Sequence, residues 1–363
     1  MNAPSGLDPK LTILMPVHNG ETYLDTAIAS VIEQDFRSFE FVIVDDASTD
    51  ATPDILSRWT GRDSRILVLR SPERGGIAKS LNIGLVHARG TYIGRQDADD
   101  ICLPGRLARQ VALLDAEQDV VLVGANYDLI DRDGEIIGRM CLDHPSSVIQ
   151  YLLHFGNAVG GHGQVMFRRT AAVDSGAYRE QYELSEDYDL WARLSHLGRI
   201  VILPEIGMRH RLHDRRYSVL HAQHQRVSWT AVSSRMLNRL LGRDLSPAEA
   251  SSVQSVWSAD GQDGVAAKAE RVFRAAYALC ATTEPADRRR IRLVTATHWF
   301  NSAVALARRG MLLETIHHLG CAMRWHPGGV GVGAIGVMRQ IYVRMRRTLR
   351  TGRSRPAPPL RAA

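Results

Sequence analysis

The stretch Gln96-Asp97-Ala98-Asp99-Asp100 follows the apolar segment Tyr92-Ile93-Gly94, and a second acidic pair, Asp45-Asp46, follows the apolar run from Phe39 to Val44. Each acidic cluster is therefore expected at the carboxyl end of a β-strand. In a parallel sheet this is the edge at which ligands bind. Carboxylates there can bind a divalent metal and nucleotide hydroxyls, but they are unsuited to holding phosphate directly. The two clusters indicate a site in which a metal bridges the protein and a nucleotide sugar.

Strand and helix patterns alternate on both sides of these clusters. Strands are predicted at residues 11–17, 39–44, 66–69, 92–94 and 120–123, and helices at residues 21–34, 49–59, 75–87 and 104–117. This alternation implies right-handed crossovers. The predicted fold class is α/β, a Rossmann-like, mostly parallel sheet flanked by helices and followed by a C-terminal helical region.

Four domain segments are predicted along the 363 residues. We expect a disordered N-terminus at residues 1–9 and a catalytic domain at residues 10–225, with a hairpin turn at residues 131–135. Residues 226–350 read as helices, including Gly264 to Ala281 and Arg288 to Arg309. Residues 351–363 form a disordered basic tail.

Composition limits the cellular setting. The four cysteines are widely scattered, which argues against disulfides and a structural zinc site and favours a reducing cytosol. The net charge of +6 is concentrated at the end, because Thr315 to Ala363 contains no Asp or Glu. Within it, Val330 to Leu349 mixes apolar residues with arginines, as in a helix on an anionic membrane surface or in a packed helix with a solvated basic face.

We find no signal peptide and no run of about 18 apolar residues, the length of a membrane span. The expected location is therefore the cytoplasm, with peripheral attachment to the cytoplasmic face of the inner membrane if the basic segment binds lipid. Gly331 to Gly336 matches G-x-G-x-x-G, but no βαβ unit or acidic residue follows it, so we reject a dinucleotide site.

The side chains in the clusters allow more than one interpretation. Asp97 and Asp99 are two residues apart and face the same side of an extended chain, which suits Mg²⁺ or Mn²⁺; the alternative is a solvated acidic turn or an N-cap. Asp45 is interpreted as a nucleotide contact, while helix capping accounts for a neighbour such as Asp46. The amides beside Arg74, in Gly75-Gly76, are candidates for phosphate binding.

Two later residues also have alternative interpretations. Asp187 suits a general base that takes a proton from an acceptor hydroxyl, or an acidic residue that stabilises a helix N-terminus. His213 suits a metal ligand or a structural histidine.

Five segments resemble, in order and spacing, the family 2 glycosyltransferases. They are Ile13 to Asn19, Val44 to Asp50, Gly75-Gly76-Ile77-Ala78 with Leu81-Asn82, Asp97 to Asp100, and Glu186-Asp187-Tyr188-Asp189-Leu190-Trp191. The resemblance covers residues 10 to 220. It implies an A-type glycosyltransferase fold, a nucleotide-diphospho-sugar donor and inversion at the anomeric carbon.

The resemblance also implies residue roles. The nucleotide-sugar-binding residues would be Pro16, Val17, Asn19, Glu21, Asp45, Asp46, Arg74, Gly75, Asp97 and Ala98, with Asp45 at the base. Asp99, Asp97 and His213 would hold the cofactor, Mn²⁺ or Mg²⁺. Asp187 would be the general base, and Glu186, His162 and Trp191 would lie on the acceptor side. Arg215-Arg216 replaces the small residues expected after His213.

The predicted activity is transfer of one hexosyl or N-acetylhexosaminyl group, with UDP as the default carrier. The acceptor is expected to be a glycan or a lipid-linked glycan in cell-surface polysaccharide synthesis. The chain lacks the Gln-x-x-Arg-Trp motif of polymerising members. The alternatives are a nucleotidyltransferase, although His18-Asn19-Gly20-Glu21 is not its Gly-rich basic loop, and a non-catalytic binder of nucleotide sugar or nucleic acid. Nucleic acid is not an expected partner.

Overall fold

The computed structural model describes residues 8–142, 144–213, 221–280 and 284–327. The chain divides into two compact units, Met1–Arg239 and Leu240–Ala363. Residues 1–7 and 351–363 of the termini that we expect to be disordered lie outside the described residues, as do the G-x-G-x-x-G match, the basic segment Val330 to Leu349, and Arg215-Arg216.

The first unit opens with four parallel strands joined by helices, as predicted. The strands are β1 (Leu11–Val17), β2 (Phe39–Asp45), β3 (Ile66–Arg70) and β4 (Tyr92–Arg95). The helices between them are α1 (Leu24–Ile32), α2 (Thr52–Thr60) and α3 (Ile77–His87). Strand β1 pairs in parallel with β2 and β4, and β2 with β3. Their carboxyl ends therefore share one edge.

The rest of the first unit extends this sheet with mixed pairing. The strands are β5 (Ile101–Cys102), β6 (Val120–Ile130), β7 (Ile136–Met140), β8 (Met166–Arg168) and β9 (Arg199–Arg211). The helices are α4 (Arg106–Ala116), α5 (Ser146–Leu152), α6 (Arg169–Asp174) and α7 (Glu186–Leu194), with a 3₁₀ turn at Glu180–Tyr182.

The strand order in the sheet is β3-β2-β1-β4-β8-β6-β9-β5, with β7 beside β6. Strand β8 is antiparallel to both β4 and β6, whereas β6 and β9 are parallel. The predicted hairpin at residues 131–135 joins β6 to β7. Strand β8 thus lies between β4, the last of the four parallel strands, and β6, and it joins the two groups of strands into one sheet.

The core explains why the early strands are almost uniformly apolar. Strands β1 and β2 are covered on both faces, as is usual for central parallel strands. Leu24, Ile28 and Val31 form one buried stripe of α1 against the sheet. Each such side chain stabilises the fold by about 1.5–3 kcal/mol. On the other side, a Cβ at Gly84 would lie 2.1 Å from Leu14, so α3 packs closely only because that residue is glycine.

The remaining described elements are helices. They are α8 (Ala222–Leu241), α9 (Pro247–Trp257), α10 (Ala266–Ala278), α11 (Pro285–Arg309) and α12 (Leu312–Trp325). Helix α9 begins with a capping box in which Ser246 and Glu249 satisfy each other's backbone amides. Among the described residues, no helix has the length and apolar character needed to span a bilayer.

The division of the chain lies further along than residue 225, where we expect the catalytic domain to end. Residue 225 is inside α8. Trp229 Nε1 donates to Phe155 O at 3.2 Å, and Ser233 Oγ donates to His154 O at 2.8 Å. Arg235 contacts the buried carboxylate of Asp189. These polar contacts, which no helical periodicity reveals, attach α8 to the first unit.

Candidate functional site

The loops after β1 and β2 are hydrogen-bonded to each other at the carboxyl edge. Ser48 Oγ accepts the amide of Asn19 at 2.9 Å, and Asn19 Oδ1 accepts the amide of Thr49 at 2.8 Å. Glu21 accepts the amide of Ala51 at 3.0 Å. Asn19 and Glu21, both predicted to bind the nucleotide sugar, therefore use their side-chain oxygens to shape the loops. Asn19 also has φ of 52°, a left-handed conformation that asparagine tolerates better than most residues.

Asp45 is almost completely buried at the end of β2. Its Oδ1 accepts the amide of Ser48 at 2.9 Å, and its Oδ2 lies 3.5 Å from Nε of Arg70, whose side chain is exposed. We expected helix capping to involve a neighbour of Asp45 such as Asp46. Instead α2 begins at Thr52, whose amide donates to Asp50. Asp45 thus turns the chain locally and keeps Oδ2 beside an exposed guanidinium.

Asp46 has a different function from capping. Its two carboxylate oxygens accept the amides of Gly75 and Gly76 at 2.7 and 2.9 Å. The next amide, at Ile77, donates to Glu183 at 3.1 Å. The prediction that the glycine amides are available to phosphate is therefore wrong for this conformation, because protein carboxylates occupy these donors. Asp46 instead fixes the loop that carries Arg74 against the end of β2.

Arg95 is a fully buried cation directly before the acidic cluster. It donates to Asp97 Oδ1 at 2.7 Å and to the carbonyl oxygens of Leu14 and Gln96 at 2.6 and 2.8 Å. It therefore ties the middle of β1 to the end of β4 and orients Asp97. The other oxygen of Asp97 faces Gly163, where a Cβ would lie 2.9 Å from it. The glycine allows the loop before β8 to approach the cluster.

Asp99 and Asp100 are joined to the end of β9. Asp99 Oδ2 lies 2.9 Å from His213 Nε2, and both side chains are partly exposed. Asp100 is fully buried; its Oδ1 accepts the amide of Arg211 at 2.9 Å, and its Oδ2 lies 3.0 Å from His210 Nδ1. Burial raises the pKa of Asp100 to about 6, and the charge of His210 opposes this rise. Asp99 is thus placed for a ligand, whereas Asp100 is structural.

Asp187 lies in the first turn of α7 and is partly exposed. Its Oδ1 accepts the amide of Tyr188 at 2.6 Å, and its Oδ2 accepts Nδ2 of Asn157 at 3.0 Å. Desolvation by the surrounding protein raises its pKa to about 6; the negative charge of Asp97 adds to the rise and Arg95 opposes it. The ends of β4 and α7 therefore face each other, and their carboxylates interact.

Glu186, His162 and Trp191 form the buried support behind Asp187. Burial, reinforced by the charge of Asp187, raises the pKa of Glu186 well above its ordinary value. His162 Nε2 lies 2.9 Å from the hydroxyl of Tyr178, and burial lowers the pKa of His162 well below its ordinary value. Trp191 is fully buried and packs edge-on against His162. The prediction that Trp191 faces the acceptor is wrong, because its ring has no exposed surface.

The structure thus gathers Asp97, Ala98, Asp99, His213 and Asp187 around the ends of β4, β9 and α7. Ala98 lies near Gly20, where a Cβ would be 3.9 Å away. Pro16 and Val17 end β1 beside them. Sequence reasoning missed Arg95 and Asn157. The position of Arg95 immediately before the acidic cluster was the available signal for the first, and no local pattern identifies the second.

The residues proposed for a metal were tested on their geometry. Among the described residues, no group of three His, Cys, Asp or Glu side chains converges as a complete ligand set. Asp99 and His213 supply one carboxylate oxygen and one imidazole nitrogen side by side. The Oδ1 atom of Asp97 already accepts a hydrogen bond from Arg95. One or two protein ligands suit Mg²⁺ or Mn²⁺ when substrate phosphates and water complete the coordination, so the site fits a metal carried with a diphosphate.

Comparisons with known proteins agree with this geometry. The family model described as Glycosyl transferase family 2 matches residues 12–175, which include both acidic clusters and end before Asp187. The putative glycosyltransferase EpsE of Bacillus subtilis is 34% identical over 196 residues, covering 52% of this chain and 68% of EpsE. The O-antigen biosynthesis glycosyltransferase WbnJ of Escherichia coli is 30% identical over 186 residues, covering 51% of this chain and 71% of WbnJ.

Solved structures share the fold. S. aureus TarS 1-349 in complex with UDP-GlcNAc aligns with a TM-score of 0.56 at 16% identity, covering 88% of this chain and 92% of that one. The mannosyltransferase PcManGT from Pyrobaculum calidifontis, in complex with GDP-Man and Mn²⁺, aligns with a TM-score of 0.51 at 20% identity, covering 87% and 86%. These similarities confirm the predicted A-type glycosyltransferase fold. Together with the sequence relatives, they show that this chain belongs to glycosyl transferase family 2 and is a glycosyltransferase enzyme.

Proposed function

We propose that the protein transfers one sugar from a UDP-sugar to an acceptor hydroxyl, with inversion at the anomeric carbon and Asp187 as the general base. The observation that carries the proposal is that the Asp187 carboxylate, at the start of α7, lies close enough to Asp97 for the two charges to interact, at the edge where β1, β2 and β4 end. A carboxylate with a raised pKa thus lies near the residues proposed to hold the donor. This is the arrangement that a single displacement requires.

On the donor side, the proposal assigns the base to the edge beside Pro16, Val17 and Asp45, where Val17 and Asp45 are buried at the ends of their strands. Asp97 would accept a ribose hydroxyl through Oδ2, because Arg95 already occupies Oδ1. Asn19, Glu21 and Asp46 would act indirectly, through the loops that they hold. Arg74 and Arg70 would bring positive charge towards the phosphates.

Asp99 and His213, with Asp97 close by, would hold Mn²⁺ or Mg²⁺. The bound ion supplies positive charge that stabilises the departing diphosphate. The loop contacts of Arg211 support this placement, because its guanidinium fixes the carbonyl oxygen of Asp99 at 3.0 Å and its amide binds Asp100. These contacts therefore hold the end of β9 beside the acidic cluster before any donor binds.

On the acceptor side, the ionised Asp187 carboxylate takes the hydroxyl proton as that oxygen attacks the anomeric carbon from the face opposite the diphosphate. A base works best when its pKa lies near the working pH, and the pKa of about 6 satisfies this while leaving Asp187 ionised at neutrality. Glu186 would lie beside the base as a buried carboxyl whose pKa is raised by burial and by the charge of Asp187.

The relatives support a role in polysaccharide synthesis. WbnJ is named for O-antigen biosynthesis, and AmsE of Erwinia amylovora, 29% identical over 203 residues, is named for amylovoran biosynthesis. We extend this to the present chain as a glycan or lipid-linked acceptor on the cytoplasmic side of a membrane.

A donor screen tests the proposal. Thermal unfolding is followed with UDP-GlcNAc, UDP-glucose, GDP-mannose and the free nucleotides, each with and without Mn²⁺. The proposal predicts that one UDP-sugar raises the melting temperature in a Mn²⁺-dependent manner, and that slow release of its sugar follows in the absence of acceptor. Failure of every nucleotide sugar to stabilise the protein would overturn it.

A further inference from the structure

The loop between α5 and β8 reaches the proposed base through one side chain. Asn157 is partly buried, and its Nδ2 donates to Asp187 Oδ2 at 3.0 Å. The two residues are thirty positions apart and belong to different elements. None of the five segments that resemble the glycosyltransferases contains Asn157, so its contact with Asp187 is a feature that those segments do not predict.

The orientation of the Asn157 amide is fixed by its other partners. Its Oδ1 accepts the amide of Val159 at 3.1 Å, which only an oxygen can do. Its Nδ2 also donates to the carbonyl oxygen of Gly160 at 3.0 Å, which only an N–H can do. A flipped amide would lose both bonds. The second N–H of Nδ2 must therefore point at Asp187, and it can only donate.

A donor that cannot accept distinguishes the two protonation states of its partner. It binds an ionised carboxylate oxygen and favours the charged form. With the Tyr188 amide on Oδ1 and Asn157 on Oδ2, both oxygens of Asp187 are held in a fixed plane, and each retains a free lone pair. The carboxylate cannot rotate without breaking one of these bonds.

The charged groups that face Asp187 from neighbouring elements act on its pKa in both directions. Asp97 on the β4 side raises its pKa, Arg95 lowers it, and Glu186 is its acidic neighbour on α7. The Tyr178 hydroxyl lies in the same buried group, bonded to His162. Among the described residues, Asn157 is the neutral side chain that donates to the base.

We propose that Asn157 is a positioning residue for the transfer reaction: it aims the Asp187 carboxylate at the acceptor hydroxyl and keeps it ionised. This inference rests on the proposed function of Asp187. It assigns to the 157–160 loop a role in setting the acid limit of the enzyme's pH range.

Two substitutions separate this role from a structural one. Asn157→Ala removes the donor and also the bond from Val159. Asn157→Asp keeps an acceptor for Val159 and nearly the same shape, but it loses the donor to the Gly160 carbonyl oxygen and places a carboxylate against Asp187. If Asn157 only supported the loop, both variants would lower the rate without moving the acid limb of the pH profile. If it acts through Asp187, the acid limb moves in both variants, and further in the aspartate.

The experiment measures transfer against pH from 5 to 9 with the full chain, together with donor affinity by calorimetry. We expect the acid limb of kcat to move up by about one pH unit in Asn157→Ala and further in Asn157→Asp, with donor affinity within about threefold of the wild type. Activity should recover towards high pH. The control is Asn126→Ala, which also removes an asparagine that bridges two backbone groups, Pro204 O and the Leu142 amide, but does not touch Asp187.

An unshifted acid limb in both Asn157 variants, with rates lowered equally at every pH, would overturn the inference. That result leaves Asp187 as the base, since the role of Asp187 is tested by its own substitution. If instead Asp187→Asn retains full transfer, the proposed function itself fails. The two outcomes are therefore distinguishable.

Discussion

Nε2 of His213 lies 2.9 Å from Oδ2 of Asp99, across 114 positions of the sequence. The contact joins the end of β9 to the acidic cluster after β4, and both side chains are partly exposed. Arg211 supports this pairing, because its amide donates to Asp100 and its guanidinium donates to the carbonyl oxygen of Asp99. The two predicted metal ligands are thus adjacent before a ligand binds.

We predict that Asp99→Asn and His213→Ala each raise the Mn²⁺ concentration for half-maximal transfer by about 10-fold or more, because each removes one of few protein ligands. Thorough chelation should abolish transfer, and Mn²⁺ or Mg²⁺ should restore it. His87→Ala is the matched control, since His87 is exposed and its Nδ1 bonds to the carbonyl oxygen of Ile83 in its own helix. Unchanged Mn²⁺ dependence in both site variants would remove their proposed role.

Asp46 is predicted to stabilise the fold through the glycine loop. Asp46→Asn replaces one of two charge-assisted acceptors with a donor facing the amides of Gly75 and Gly76, and should cost about 1–3 kcal/mol of unfolding free energy. Urea denaturation measures this. Asp54→Asn, on the exposed side of α2, is the control and should change stability by less than about 0.5 kcal/mol. Equal stability of the two variants would contradict this account of Asp46.

Helix α8 is predicted to be part of the catalytic unit as far as residue 239. A chain ending at residue 239 should fold, whereas one ending at residue 225 loses the contacts of Trp229, Ser233 and Arg235. Three such contacts are worth on the order of 3 kcal/mol, so the shorter chain should melt about 10 °C lower. Calorimetry on both chains provides the test, and identical melting temperatures would place the boundary near residue 225 after all.

The transfer rate is predicted to fall in acid. Burial raises the pKa of Asp187 to about 6, and a base must be ionised to accept a proton. Lowering the pH through about 6 protonates Asp187, so kcat should fall about tenfold for each unit below that value, while it is flat near pH 7.5. Rates measured with donor at saturation isolate this effect. A constant kcat between pH 5 and pH 7 would show that Asp187 does not titrate as described.

The parallel half of the fold is predictable because its signals are local. Predicted and observed β1 coincide at Leu11–Val17, and β2, β3 and β4 differ by one residue at their ends. Helix α1 is shorter than predicted, starting at Leu24, because Glu21 binds the loop after β2. Strand β8 has only three residues, and its pairing with β4 and β6 depends on tertiary contacts that no periodicity records.

The candidate site shows the same difference between what local sequence predicts and what depends on long-range contacts. The positions of Asp45, Asp97 and Asp99 after strands could be inferred from the sequence, because a strand end is a local property. The partners of these residues could not. A buried Arg95 looks in sequence like a surface arginine, and the pairing of Asp46 with Gly75 and Gly76 joins segments 29 and 30 residues apart. Likewise, the sequence does not predict that Trp191 is buried, because its burial depends on the packing of α7 against His162.

The most direct test of the central claim is Asp187→Asn, measured for both transfer and donor affinity on the same preparation. The substituted amide keeps the size of the side chain but cannot accept the proton. The account predicts that transfer falls about 10²–10⁴-fold while the dissociation constant of the donor changes less than about threefold. Asp174→Asn, exposed at the end of α6, is the control and should retain full activity. Transfer by Asp187→Asn within a few-fold of the wild-type rate would contradict the assignment of Asp187 as the base.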